Sequence, residues 1–390
     1  MPQPRSGRGP GREVPLSGRV LVTGGAGFIG SHLADLLLAR GYQVRALDNL
    51  DPQVHGDDAG RPAYLDQRVE LVRGDVRNRE DVNEALDGCS MLVHFAAAVG
   101  VGQSMYEIER YTSVNALGAA VVLQTALDHR DHLERMLVAS SMSIYGEGLY
   151  SCPKCGETAP RLRSAAQLAE RDWEVRCPAC GSPCEPMPTP ESKPLYPTSI
   201  YAVNKRDHEE MFLSVGEAYG IPATAMRFFN VYGERQALSN PYTGVGAIFA
   251  SRLLNGKPPV IFEDGGQSRD FIHVHDVARA CLMALQSPEA AGMVFNVGTG
   301  RSTSVRQIAA AIARHLGRPE DDVIVRNQYR AGDIRHCYAD VSRAREVLGF
   351  QAGITFEDGV AELCDWVEAQ SAVDRVDQAT DELQRRGLTR

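Results

Sequence analysis

Tyr201 and Lys205 stand four positions apart and form the first candidate pair for proton-transfer chemistry. On the helix predicted there, residues at positions i and i+4 lie on one face, so both side chains can reach the same group. A phenol with the ordinary pKa of about 10 is a poor base at neutral pH. A neighbouring ammonium favours the phenolate and brings its pKa toward neutrality, so the pair predicts a general base.

Three glycines, Gly24, Gly27 and Gly30, recur at every third position between an apolar run and a helical pattern. Glycine in such a turn lets backbone amides approach a pyrophosphate, and the helix N-terminus adds a favourable dipole. Asp48 ends the next apolar run after this turn. A carboxylate there binds the hydroxyls of an adenosine ribose and repels a 2′-phosphate. The turn and the acid together predict a site for NAD rather than NADP.

Five of the nine cysteines are clustered in one short part of the chain, and four of them form two C-x₂-C pairs. Cys152 and Cys155 precede Cys177 and Cys180 with the spacing of a zinc ribbon. Four thiolates would close a tetrahedral structural zinc site with no open position for a catalytic water. A redox dithiol is the alternative interpretation, and Cys184 is a spare thiol that could serve as another ligand.

The elements that must position these residues alternate along the chain. Short apolar runs at 18–23, 42–49, 69–75, 91–97 and 135–141 are typical of strands, with helical patterns between them. This alternation predicts an α/β fold with a doubly wound parallel sheet. The stretch between Ser141 and Tyr201 is longer than such a connection needs, so it contains an insertion that leaves the sheet beside the active site.

An H-x-H pair, His273 and His275, could bind metal but fits ordinary structural roles better.

Composition changes along the chain give the predicted domains. Residues 1–17 are expected to form a disordered arm, 18–230 an NAD-binding Rossmann domain, and 148–192 its zinc-ribbon-like insertion. Residues 231–368 are expected to form mainly a smaller substrate-binding domain, with some segments returning to the first. The last stretch, 369–390, is predicted to be a charged amphipathic helix at a solvated end.

The overall charge of the protein limits the classes of molecule that are expected to bind it. The 390 residues carry 41 basic and 50 acidic side chains, a net charge of −9. An acidic surface repels nucleic acid and anionic membranes, so neither is expected as a partner. The sequence has no apolar stretch long enough to span a bilayer and no signal-peptide core. We therefore expect a cytoplasmic protein.

Several motifs in order resemble one known superfamily. TGGAGFIG (23–30), LDNL (47–50), HFAA (94–97) and YAVNK (201–205) are similar to the extended short-chain dehydrogenase/reductases. FFNVYG (228–233), GGQSRDFIHVHDV (265–277) and NVGTG (296–300) resemble the nucleotide-sugar epimerase/dehydratase branch in particular. The resemblance spans roughly residues 18–368 apart from the insertion. It implies a homodimer formed through the helices at 111–129 and 200–219.

The resemblance also assigns roles to individual residues. It implies that Ser141, Tyr201 and Lys205 are catalytic, with Ser141 stabilising the proton on the sugar oxygen. Substrate contacts carried over in the same way are Ser141, Ser143, Asn230, Arg269 and Arg335, the last three at the diphosphate. Cofactor contacts implied for a tightly bound NAD are Gly24, Gly27, Phe28, Ile29, Gly30, Asp48, Asn49, Asp75, Val76, Ala96, Ala97, Tyr201 and Lys205.

The residues after Ser141 reduce the number of reactions that are expected. Sugar 4,6-dehydratases of this family carry an Asp-Glu pair there, and this chain has Met142 and Ser143, which are poor acids and bases. The resemblance therefore favours a 4-epimerase, which removes a hydride to give a 4-keto sugar and returns it to the other face. A dehydratase, decarboxylase or dehydrogenase, or a non-catalytic NAD-sensing scaffold, remain alternatives. The nucleotide base, the sugar and the epimerised carbon stay open.

Overall fold

The computed structural model describes residues 18–56, 60–237, 244–330, 332–369 and 376–389, and within 376–380 only the course of the helix. The arm expected at 1–17 lies outside the described residues. The described strands, in chain order, are β1 Arg19–Thr23, β2 Gln43–Asp48, β3 Glu70–Arg73, β4 Met91–His94, β5 Arg135–Ser141, β6 Leu149–Cys152, β7 Gly156–Thr158, β8 Glu185–Met187, β9 Ala223–Phe228, β10 Asn230–Tyr232, β11 Val260–Ile261, β12 Ser268–Arg269, β13 Phe271–His273, β14 Val294–Val297, β15 Thr303–Ser304, β16 Ile324–Val325 and β17 His336–Cys337.

Helices separate most of these strands. They are α1 Phe28–Ala39, α2 Pro52–His55, α3 Arg79–Leu86, α4 Val101–Ser104, α5 Ile108–Thr112, α6 Gly118–Asp128, α7 Ala165–Ala169, α8 Ile200–Tyr219, α9 Val245–Leu254, α10 Val274–Gln286, α11 Val305–His315, α12 Ser342–Leu348, α13 Phe356–Glu368 and α14 Val376–Arg385. A π-helical turn, Ser113–Leu117, joins α5 to α6. None of the described helices combines the length and the apolar character needed to span a bilayer.

Seven strands form the central sheet in the order β14-β9-β5-β4-β1-β2-β3, and every neighbouring pair is parallel. The strand order reverses between β1 and β4, since β2 and β3 continue on one side and β5 on the other. In such sheets ligands bind at the carboxyl ends of the strands beside this reversal. The glycine-rich turn follows β1 at that point. The predicted doubly wound α/β fold is confirmed.

Helices cover both faces of the sheet because its strands are apolar on both sides. α1 and α10 pack on one face, and α3, α6 and α8 on the other. β14 lies at the edge of this sheet beside β9, although it comes from the second half of the chain. A segment from that half therefore completes the central sheet.

The remaining elements form two smaller units. α9, α11 and α13 pack around an apolar cluster that includes Phe249, Ile312 and Leu363. The insertion folds into an antiparallel sheet in the order β7-β6-β8, with a small core that includes Tyr150 and Val175.

The last helix differs from its expected solvated position. Leu383 of α14 is buried and, with Leu388, lines the large cavity described below. The Arg386 guanidinium lies 4.2 Å from the ring centroid of Tyr106, and Thr389 forms a β-bridge with Arg330. The end of the chain therefore packs against the cavity through Leu383 and Leu388.

Candidate active site and cysteine cluster

A cavity of ≈ 890 Å³ opens at the carboxyl ends of the central strands. The turn after β1 forms its floor, and the turn needs glycine for steric reasons. Gly24 has a positive φ of 68°, and a Cβ there would lie 2.8 Å from the amide nitrogen of Ala96. A Cβ on Gly30 would collide with the Gly24 carbonyl oxygen. The backbone is thus left open as a cradle in which a pyrophosphate fits.

Asp48 lies at the end of β2 beside this turn. Its carboxylate accepts hydrogen bonds from the backbone amides of Ala26 and Leu50, each 3.0 Å long. These bonds fix the carboxylate at the cavity wall. The sequence predicts that this carboxylate contacts a ribose. The other predicted cofactor residues all line the same cavity: Gly27, Phe28, Ile29, Asn49, Asp75, Val76, Ala96 and Ala97.

The three predicted catalytic residues meet in the middle of the cavity. β5 ends at Ser141, and α8 begins after Ser199, whose hydroxyl accepts a hydrogen bond from the Ala202 amide. This cap places Tyr201 in the first turn of α8 and Lys205 in the second. The Lys205 Nζ donates a 3.1 Å hydrogen bond to the Ala139 carbonyl oxygen. The packing of α8 on β5 brings together residues that the insertion separates in sequence.

Burial governs the ionisation of this pair within the protein. It lowers the pKa of Lys205 to about 7. It raises the pKa of Tyr201 to about 12, against a smaller lowering by the hydrogen bond with Ser141. The protein groups therefore keep Tyr201 protonated at neutral pH. The sequence prediction of a pKa near neutrality requires a further positive charge beside the phenol, which an oxidised nicotinamide carries.

Ser141 and Ser143 form a small hydroxyl cluster at the start of the turn after β5. The Ser143 hydroxyl and amide donate hydrogen bonds of 3.0 and 3.2 Å to the Ser141 oxygen. The Ser141 hydroxyl proton therefore points away from Ser143, and Ser141 forms a hydrogen bond with Tyr201 in the cavity. Asn230 lines the same region, and its buried side-chain oxygen has no hydrogen-bond partner among the described residues. An unsatisfied buried acceptor of this kind fits a ligand that donates to it.

Arg269 supplies positive charge farther along the cavity. Its guanidinium donates to the carbonyl oxygens of Ser268, Ile334 and Arg335 at 2.7–2.9 Å. Within the described part of the chain no carboxylate pairs with it. A cation held by neutral acceptors keeps its charge available for an anionic ligand.

Arg335 requires a correction, because the structure places it away from the cavity lining. Its buried guanidinium donates to the carboxylates of Glu174, Glu263 and Asp264. Three acids satisfy this arginine, so it has no capacity left for a substrate phosphate. The predicted diphosphate contact at Arg335 is therefore wrong.

Sequence reasoning overlooked Arg330, which does line the cavity. Its Nε donates a 2.8 Å hydrogen bond to the Asp333 carboxylate, and its guanidinium lies 4.8 Å from the centroid of the Phe262 ring. Arg330 and Arg335 flank the same Gly-Asp pair in the sequence, so spacing alone did not distinguish them. The sequence near these two arginines held no signal that separates them.

The four paired cysteines converge in the insertion. The Sγ atoms of Cys152, Cys155, Cys177 and Cys180 all lie within 4.8 Å of one another. Backbone amide hydrogen bonds, first that of Ala179, lower the pKa of Cys177. Cys184 is buried beside the cluster but outside this set. Four convergent thiols fit a tetrahedral metal ion.

Comparisons with known proteins agree with this geometry. The family described as "NAD dependent epimerase/dehydratase family" matches residues 20–166 and 177–298. The dTDP-L-rhamnose 4-epimerase of Burkholderia thailandensis is 35% identical over 90% of this chain and 94% of its own length. A UDP-glucose 4-epimerase of Mycolicibacterium smegmatis is 32% identical over 90% of this chain and 99% of its own.

Solved structures show the same similarity. UDP-glucose 4-epimerase of Thermotoga maritima, solved with UDP-glucose, has a TM-score of 0.72 at 28% identity and covers 90% of this chain and 99% of its own. The Thermus thermophilus UDP-glucose 4-epimerase, solved with NAD, has a TM-score of 0.70 at 30% identity and covers 91% of this chain and 100% of its own. Since the family match spans more than half of the residues and relatives cover nearly the full length, this chain belongs to the NAD-dependent epimerase/dehydratase family.

Proposed function

We propose that this protein is an NAD-dependent nucleotide-sugar 4-epimerase. The observation that carries the proposal is the meeting of Ser141, Tyr201 and Lys205 in one cavity whose catalytic part has no carboxylate beside it among the described residues. The relatives named as 4-epimerases agree with it. Gly24, Gly30 and Asp48 would hold the dinucleotide.

The chain's own residues perform the proton chemistry. A bound NAD⁺, held by Gly24, Gly30 and Asp48, would supply the acceptor and donor for the hydride of the sugar carbon. Tyr201 takes the proton of the 4-hydroxyl, and Ser141 donates a hydrogen bond to the same oxygen. Lys205, on the same helix face, is held beside Tyr201 by its hydrogen bond to Ala139, and the positive charge of a bound oxidised nicotinamide would make the phenolate accessible. After the keto sugar turns over, Tyr201 gives the proton back, so atoms and electrons balance over the cycle.

The position of the acids argues against water loss. Of the residues that the structure describes, the carboxylates that line the cavity are Asp48, Asp51, Asp75 and Asp333. Asp48 ends β2, Asp51 and Asp75 follow β2 and β3 on the cofactor side, and Asp333 accepts from Arg330. Among the described residues, none stands beside Ser141, where a dehydratase needs an acid and a base.

Arg269, Arg330 and Asn230 would bind the nucleotide diphosphate. Two guanidinium groups match the two phosphates, and the Asn230 side chain would donate to them through Nδ2, while its orphaned oxygen would accept from a hydroxyl of the ligand. The exposed apolar residues Leu117 and Val203, within 111–129 and 200–219, support a homodimer through these two segments. We also propose a cytoplasmic location, in agreement with nine cysteines that form no disulfide.

Zinc is the metal proposed for the cysteine cluster. Cys152, Cys155, Cys177 and Cys180 would supply four thiolates, a complete tetrahedral set that leaves zinc a structural role. Elemental analysis of the purified protein should find one zinc per chain. A Cys177→Ser variant should lose the metal, whereas Cys281→Ser, at a buried single cysteine, should retain it.

The activity is tested by incubating the purified protein with UDP-glucose, UDP-N-acetylglucosamine, UDP-glucuronate and dTDP-L-rhamnose. Mass spectrometry should find a product of unchanged mass, and proton NMR couplings should place the inversion at carbon 4. Loss of water or of carbon dioxide would overturn the epimerase proposal in favour of a dehydratase or decarboxylase. Bound NAD with no product from any sugar would favour the non-catalytic scaffold.

A further inference from the structure

The backbone of residues 332–337, called here the 332–337 segment, forms one wall of the cavity. Gly332, Asp333 and Ile334 line the cavity, and the side of the segment that faces the cavity is called its front. Arg269 donates to the carbonyl oxygens of Ile334 and Arg335 at 2.7 and 2.9 Å. The Asp333 carboxylate accepts from the Arg330 Nε at 2.8 Å. The front of the segment therefore orients both Arg269 and Arg330.

The back of the same segment is held by the insertion. The Glu174 carboxylate accepts from Arg335 Nε and Nη2 at 3.2 and 2.6 Å and lies 3.4 Å from the His336 ring nitrogen. Arg163 Nη2 donates to the Asp333 carbonyl oxygen at 3.3 Å. The segment is thus clamped between the cavity arginines and insertion residues.

Two buried carboxylates complete this clamp. Glu147 accepts from the backbone amide of Arg335 at 2.8 and 3.0 Å. Glu263 accepts from both nitrogens of the Arg163 fork, at 3.0 and 2.9 Å, and from Arg335 at 3.0 Å. The side chains of Glu147, Arg163 and Glu263 are at most 3% exposed. Buried charges in such a network have few alternative arrangements, so displacing one moves its partners.

The cysteine cluster sets the position of the insertion residues in the clamp. Arg163 and Glu174 lie in the loop between Cys155 and Cys177, whose ends meet at the cluster. Glu174 stands three positions before Cys177, and the neighbouring Val175 carbonyl accepts from the Cys184 amide at 2.9 Å. Closure of this loop restricts where the Glu174 carboxylate can lie.

We infer that the insertion is a positioning element for diphosphate binding: Glu174 and Arg163 act through the 332–337 segment on Arg269 and Arg330. This inference rests on the proposed function only in taking a nucleoside diphosphate as the ligand. The cysteine cluster is then coupled to substrate affinity while it contacts no substrate. NAD binding, at the opposite end of the cavity beside Gly24 and Asp48, is independent of it.

The test measures binding before turnover, on the full-length protein with its metal. Calorimetry with UDP and with dTDP gives the dissociation constant, and the NAD content is read from absorbance. Glu174→Gln should weaken binding of the nucleoside diphosphate about five- to tenfold, a range typical of residues coupled to a ligand they do not touch. The NAD content should stay unchanged. KM for the sugar nucleotide should rise in the same proportion, with kcat within about twofold.

Two further variants control the result. Glu170→Gln makes the same chemical change at an exposed position of the insertion and should leave the dissociation constant as it is. Glu174→Asp keeps the charge on a shorter side chain and should give an intermediate constant. This variant also serves if Glu174→Gln fails to fold.

A second measurement addresses the cluster itself. Removal of zinc by a chelator under reducing conditions should weaken UDP binding and leave the NAD content unchanged. Wild-type affinity in both folded Glu174 variants would overturn the inference and leave the proposed function intact. A wild-type protein that binds neither UDP nor dTDP would overturn both.

Discussion

Lys205 donates a hydrogen bond of 3.1 Å to the carbonyl oxygen of Ala139, one strand residue before the Ser140–Ser141 pair. The bond anchors the amine at the base of the cavity, where burial lowers its pKa from 10.5 to about 7. A charged amine buried in this way serves the reaction but lowers the free energy of unfolding.

Replacing Lys205 by Met should therefore stabilise the protein stripped of nucleotide. The pKa in the folded state lies below that in the unfolded state, so the charge penalty is complete below pH 7 and disappears as the pH rises to 10.5. We expect a gain of about 3 kcal/mol below pH 7, because the depressed pKa costs about 5 kcal/mol and the lost hydrogen bond to Ala139 offsets about 1–2 kcal/mol, and the gain shrinks across this interval. Urea unfolding at several pH values measures it. Arg318→Met, at an exposed position, is the control, and a gain independent of pH would contradict the explanation.

Tyr201→Phe should abolish turnover and keep the cofactor. Removing the phenol removes the general base, so kcat should fall about a hundred- to ten-thousandfold. The NAD content should match that of the wild type, because the ring and Lys205 remain. Activity above one tenth of the wild type would show that another group moves the proton.

Arg330→Ala should weaken binding of the nucleotide. Arg330 lines the cavity, and loss of a charge-assisted contact should raise the dissociation constant for UDP about tenfold or more. Arg318→Ala changes an exposed arginine of the same half and should have no effect. Calorimetry measures both variants. Equal affinity of Arg330→Ala and the wild type would remove Arg330 from the diphosphate site.

The C-terminal helix offers a test of cavity closure. Leu383 is buried at the rim, so Leu383→Asp places a charge against the cavity and should detach α14. We expect UDP to dissociate about two- to fivefold faster, as measured by stopped-flow fluorescence. Gln384→Asp adds the same charge at the exposed neighbour and should leave the rate unchanged. Identical rates in both variants would mean that α14 does not restrict the cavity.

Local spacing in the sequence was sufficient for the parts of the site that one turn or one helix builds. The glycine turn, the i, i+4 pair Tyr201 and Lys205, and the two cysteine pairs each carry their geometry within a few residues. Alternating strand and helix patterns likewise predicted the doubly wound sheet, because a parallel sheet needs crossover helices. These features required no knowledge of distant contacts.

Only the tertiary structure decided which arginine faces the cavity. The carboxylates of Glu174, Glu263 and Asp264 hold the Arg335 guanidinium away from the cavity by hydrogen bonds. These acids lie 161, 72 and 71 positions away along the chain. The residues next to Arg335 do not indicate these distant partners. The sequence therefore could not predict which of Arg330 and Arg335 faces the cavity. The sequence predicted that segments after residue 230 return to the first domain, but it did not show that β14 pairs with β9, and it did not predict the burial of Leu383. The sequence determined the chemistry that each segment can perform, and long-range packing decided which side chains are left to perform it.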